Sequence, residues 1–238
     1  MRPRDGLRAS ARASWSRPRA TRLPWRTPWR SARFLVIDVE TTGLDPRRHE
    51  VISFAGVPVD LGRIVVGGVV GGLVGPSAPP SADSICIHGL RVQDLAGAPT
   101  GAGALAPLAA ALRGRVPVAH AAWIERGFLG PALRSAGLAP PSRFVDTALL
   151  WRLLCILRGE GDPGIRRLSE LTTSLGLPSH RPHEADGDAL TTAQVFLALA
   201  THLERHDLGR VRALAGAASF LDAWQLTHPP SAFDISAR

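Results

Sequence analysis

The chain has 238 residues, 45% hydrophobic and 20% charged, which suits one sizeable domain with short appendages and excludes a disordered or fibrous protein. Its two cysteines, Cys86 and Cys155, are too few for a disulfide framework and lack metal-ligand spacing, so a reducing cytoplasm is the expected compartment. The net charge of +8 belongs to one end: residues 1–33 hold ten Arg against a single acid, Asp5, and the remaining body is close to neutral.

Residues 1–32 are rich in Arg, Pro, Ser and Ala and show no sustained periodicity, which predicts a disordered Arg-rich tail. The tail lacks the apolar core of a secretory signal. Its arginines suit an electrostatic tether for nucleic acid, the alternative being an upstream start codon or a segment without a role. Residues 34–37, Phe-Leu-Val-Ile, then predict a buried strand that runs into Asp38-Val39-Glu40. Side chains alternate faces along a strand, so Asp38 and Glu40 point the same way. Two adjacent carboxylates repel each other and resist burial unless a cation lies between them, and a hard divalent metal is the simplest. Thr41 and Thr42 offer hydroxyls where the strand ends, and Gly43 permits a sharp turn.

Residues 51–57 and 64–74 predict two further strands, the second weakened towards an edge by Gly67, Gly68, Gly71 and Gly72. That run is too short and glycine-rich to span a membrane. A Pro- and Ser-rich loop over 75–84 leads to Ile87-His88-Gly89-Leu90. Helices are expected over 104–112, 123–136, 146–157 and 165–175, with a short buried strand over 116–119. A long helix follows His183 and runs to about residue 204; Leu190, Ala193, Leu197 and Ala200 trace its apolar stripe. Residues 205–238 read as a helical or irregular extension. Strands first, then strands alternating with helices, predict a mixed sheet flanked by helices.

Two more stretches carry acids. One reads His120-Ala-Ala-Trp-Ile-Glu125-Arg-Gly-Phe128-Leu129, the other Pro182-His183-Glu-Ala-Asp186-Gly-Asp188. At about 100° per residue, Asp186 faces nearly opposite to Asp188. Taken in order, the three stretches resemble the motifs of the DnaQ-like (DEDDh) 3′–5′ exonucleases. Those motifs are Asp-x-Glu-Thr-Thr-Gly after an apolar strand, His-Asn-Ala-x-Phe-Asp-x-x-Phe-Leu, and a His four residues before an Asp. In the second, Ala121 replaces the Asn, Ile124 the Phe, and Glu125 the metal-binding Asp. Ile87 to Leu90 and Val145-Asp146-Thr147 also look like the family, and the resemblance covers residues 33 to about 203.

The resemblance implies an α/β, ribonuclease-H-like fold: a five-stranded mixed sheet with helices on both faces and an exonuclease domain over 33–204. It implies two divalent metal ions, Mg2+ or Mn2+, held by Asp38, Glu40, Glu125 and Asp188, with His183 as general base. Thr41, Thr42, Gly43 and His88 would meet the substrate. Asp146 is expected as a helix cap, His120 as a structural residue and Asp186 outside the site. The implied partners are single-stranded 3′ ends, DNA favoured, with a DNA polymerase as a candidate second partner and no membrane. Nucleoside 5′-monophosphates would be the product. Ribonucleolytic trimming stays open, as does a binding accessory whose cleavage the Glu125 and Ala121 departures have blunted.

Overall fold

A computed structural model describes residues 25–227. Its strands are β1 (Arg33–Thr41), β2 (Val51–Asp60), β3 (Arg63–Ile64), β4 (Val70–Leu73), β5 (Val116–Ala119) and β6 (Val145–Asp146). They form one sheet in the order β3-β2-β1-β5-β6, with β4 also pairing β2. The β1–β2 and β2–β4 pairs are antiparallel, whereas β1–β5 and β5–β6 are parallel. The sheet is therefore mixed, with five strand positions and β1 in the centre.

The third position departs from the single strand expected over 64–74. A 3₁₀ turn, Val66–Gly68, splits it into β3 and β4. Pro58 on β2 explains the split: its carbonyl accepts from Val65 N at 2.9 Å, but it has no N–H to return to a third strand.

The helices are α1 (Ala82–His88), α2 (Gly101–Ala111), α3 (Trp123–Ser135), α4 (Thr147–Leu157), α5 (Leu168–Leu175), α6 (Ala185–Glu204), α7 (Val211–Leu214) and α8 (Ala217–Thr227). The first falls where a loop was expected. Ser81 Oγ caps it by accepting from Ser84 N at 3.2 Å, and Gly89 ends it in the left-handed region at φ 74°. Both faces of β1 are covered, which accounts for its unbroken apolar run. Phe34 and Val36 pack with Leu150, Phe196 and Leu199 of α4 and α6, while Leu35 and Ile37 pack with Leu108, Leu129 and Leu133 of α2 and α3.

Residues 25–32, assigned by composition to a disordered tail, belong to the fold. Trp29 is 1% exposed, and its ring meets Phe196 edge-on at 6.0 Å between centroids. The Trp29 backbone N–H donates to Gly209 O at 2.8 Å, while Val211 N and Arg212 N donate to Thr27 O and Trp25 O. Val211, Leu214 and Ala217 are buried in the same core, so the segment after 204 completes the domain. The rest of both terminal segments, residues 1–24 and 228–238, lies outside the described residues. Among the described residues, no helix is long and apolar enough to cross a membrane.

Candidate active site

β1 pairs with β5 only over residues 34–36, so its C-terminal half extends past the parallel ladder and carries Asp38 and Glu40 into the crevice there. Asp188 comes to the same place from the first turns of α6. The nearest oxygens of Asp38, Glu40 and Asp188 all lie within 4.8 Å of one another. Burial, then Glu125, Glu40 and Asp188, push the Asp38 carboxyl well above its usual range. Burial and Asp188 push Glu40 up to about 8. Asp188 is also raised by burial, against the opposing pull of His183, whose backbone N–H donates to Asp188 Oδ2 at 2.9 Å.

Glu125 stands outside this trio but beside it, on α3. It is 3% exposed, and its Oε2 is buried without a hydrogen-bond partner. Burial raises its carboxyl as well, and the charges of Asp146 and Glu40 add to that. A buried, unpaired carboxylate oxygen is costly. The three clustered carboxylates, with the orphaned Glu125 oxygen beside them, form an all-oxygen donor set, which fits hard divalent cations.

The fit has a consequence for stability. Glu40 is raised from 4.5 to about 8, so the folded state keeps a proton that the unfolded state has released. Metal-free stability should therefore fall as pH rises from about 5 to 8. Saturating Mn2+ or Mg2+ at the upper end should raise Tm by roughly 5–10 °C. Thermal melts in chelator and in metal check both; a flat, metal-insensitive Tm would contradict the cation site.

His183 lies on the loop before α6 at φ 62°, with Arg181 at φ 28°, so two side-chain-bearing residues occupy the left-handed region. Gly187 makes this possible, because a Cβ there would stand 2.4 Å from Arg181 O and 2.5 Å from His180 O. The loop crosses the first turn of α6 in contact with its backbone. Asp186 pairs with Arg181 and stays out of the carboxylate cluster, as the helical period predicts. His183, Glu40, Phe54, His88 and Leu90 bound an open cleft of about 570 Å³.

The exonuclease family profile matches residues 35–196. The chain belongs to the DnaQ-like exonuclease family. A DNA polymerase III subunit epsilon-like protein of Rhodobacter capsulatus is 34% identical over 76% of this chain and 26% of its own length. The 3′-5′ exonuclease DinG of Bacillus subtilis is 29% identical over 73% of this chain and 18% of its own. The chain thus spans about a quarter or less of these relatives. Exonuclease I of E. coli, solved with a dT13 oligonucleotide, shares the fold at TM-score 0.65 and 19% identity, over 74% of this chain and 42% of that one.

Within the exonuclease domain, several residues expected to meet the substrate also make hydrogen bonds that hold the turn after β1. Thr41 Oγ1 donates to Gly43 O at 2.8 Å, and Thr42 Oγ1 accepts from Glu50 N at 2.9 Å; both residues are buried. Their hydroxyls close the turn after β1. Gly43 is not in the left-handed region; it is required because a Cβ would lie 2.6 Å from the His49 ring. His88 ends α1, where its Nδ1 accepts from Leu90 N at 3.0 Å and its Nε2 donates to Thr41 O at 3.2 Å. With both nitrogens engaged, its ring offers the cleft a surface and no free donor.

Asp146 does more than cap α4. Besides Ala148 N at 2.9 Å, its carboxylate accepts from Ala121 N at 3.1 Å and Ala122 N at 2.9 Å, fixing the turn that begins the Glu125 helix. The parallel pairing of Ala119 with Asp146 brings these parts together, a contact no local motif announces. Ala121 sits at φ 53°, a conformation that costs an alanine roughly 1–2 kcal/mol and that Asn tolerates better. The departure from the family's Asn thus carries a backbone cost. His120 is structural as expected, bonded to Thr147 Oγ1 and Arg166 O at 2.9 and 3.0 Å.

Proposed function

We propose that this chain is a metal-dependent 3′–5′ exonuclease, releasing nucleoside 5′-monophosphates from single-stranded ends with DNA favoured. The observation that carries the reading is the cluster of Asp38, Glu40 and Asp188, with the orphaned Glu125 oxygen beside it, whose member Glu40 lines the same cleft as His183. Two divalent cations bound there would neutralise charge developing on a phosphodiester and clamp its attacking and leaving oxygens. The four carboxylates would hold them. His183 would take the proton of the attacking water, because its backbone is tied to Asp188 and its side chain lies at the cleft wall. Phe54 and Leu90 offer apolar surface to the terminal base.

The names of the relatives support the direction of attack and the substrate class: one is called a 3′-5′ exonuclease, and exonuclease I was solved with a DNA oligonucleotide. The epsilon-like relative supports a DNA polymerase as a candidate partner, and a cytoplasmic setting belongs to the same reading. The test is release of mononucleotide from matched, end-labelled DNA and RNA strands, with and without chelator. Faster, chelator-sensitive release from the DNA 3′ end is expected. Release from the 5′ end, or none with either metal, would sink the reading.

Glu125 gives a sharper test. Glu is one methylene longer than the family's Asp, and magnesium demands a tighter octahedron than manganese. Higher activity with manganese is expected, with a smaller gap in Glu125→Asp. Glu125→Gln keeps the size and removes the charge, so it should lose most activity. A Gln variant as active as the parent would remove Glu125 from the site.

A further inference from the structure

A second cleft, of about 520 Å³, opens at the start of α3 and is bounded by Trp123, Arg126, Arg143 and Asp146. It shares no residue with the cleft of His183. The two flank β1: the first is lined from β2 and β4, the second from the β6 side of the sheet. Asp146 on its wall holds the turn at Ala121 and Ala122 that begins α3, so the second cleft lies against the start of the helix that carries Glu125.

Its chemistry suits a polyanion with flat apolar faces. Trp123 is 61% exposed, an uncommon state for a large indole in a folded domain. Arg126 and Arg143 are exposed, and no salt bridge among the described residues involves either. Asp146, the one acid on the cleft wall, has its oxygens taken up by three backbone N–H groups. Arg143 also lies 5.8 Å over the ring of Trp25, the first of the described residues.

We propose that this cleft is the track for the single strand upstream of the scissile phosphate. Trp123 serves as a stacking platform for a base, and Arg126 and Arg143 take successive phosphates. The proposal rests on the nuclease reading for its direction. Two arguments select its occupant: charge complementarity and the position of the cleft at the start of the helix that carries Glu125. An aromatic platform beside cations is the usual means of holding single strands without reading sequence.

The test is the affinity of the full chain for a labelled oligothymidylate in excess chelator, where cleavage is stopped. Trp123→Ala should weaken binding on the order of tenfold. Arg126→Ala and Arg143→Ala should each flatten the dependence of log K on log salt by about 0.7. Arg113→Ala, an exposed arginine outside this cleft, serves as the charge control and should match the parent. Parent-like binding by the Trp123 and Arg variants would overturn the track, as would equal losses in the Arg113 control or a parent that does not bind. The nuclease reading is scored separately, by nucleotide release from the parent in manganese. Binding that responds as expected in a parent that never cleaves would sink that reading alone.

Discussion

Replacing Asp38 with alanine should lower nucleotide release by roughly a thousandfold or more, the loss expected when several kcal/mol of charge stabilisation disappear. The same change should raise the metal-free Tm. Asp38 is held against Glu125, Glu40 and Asp188 in a partly dry crevice, and its carboxyl is raised because all of these oppose its ionisation. Removing it relieves that repulsion while leaving the strand ladder intact, since Asp38 pairs with Ala55 through backbone alone. Activity and melting should therefore move in opposite directions, which general damage to the fold would not produce. A variant that cleaves at the parental rate in saturating metal would show that Asp38 holds nothing the reaction needs.

Replacing His183 with alanine should cost roughly 10²- to 10⁴-fold in turnover, the span typical of a lost general base. Asp186→Ala should change turnover little, because that carboxylate, though it lines the same cleft, is paired with Arg181 and stands outside the cluster of Asp38, Glu40 and Asp188. The pair is informative because both residues sit within one turn of the α6 N-terminus. His183 also occupies a left-handed conformation, which alanine tolerates poorly, so the loop itself could be disturbed. His183→Gln keeps a side chain of similar reach without the imidazole, and it should lose activity to the same degree. A glutamine variant near parental activity would assign His183 to loop geometry.

The most legible parts of the chain were those whose chemistry is local. The apolar run into Asp38 and Glu40 and the stripe of α6 each declare themselves by period. The spacing from His183 to Asp188 places both at one site. What the sequence hid depends on distant partners. The break at Val66–Gly68 follows from Pro58 on the neighbouring strand. α1 has no apolar stripe to announce it, since Ile87 is half exposed and the helix is set by Ser81 and Gly89. The hydroxyls of Thr41 and Thr42 looked available to a ligand because nothing in the motif shows Gly43 O and Glu50 N waiting for them. Trp29 looked like part of a basic tail because its partner, Phe196, lies at the other end of the chain.

That last contact sets an order of events during synthesis. Arg210 bonds Arg26 O across a separation of 184 residues, and the neighbouring backbone bonds of Trp25, Thr27 and Trp29 span similar distances. At ribosomal speeds, those early residues wait roughly 10–40 s for their partners to be made. β1 can pair with β2 in the meantime, but Phe34 and Trp29 have no aromatic neighbour until Phe196 emerges. Non-local closure of this kind slows folding and prolongs the exposure of apolar surface. The segment around Val211 therefore acts as a late latch on the earliest described residues, and a chain stalled before it would present Trp29 and the Phe34 face of its central strand to chaperones and proteases.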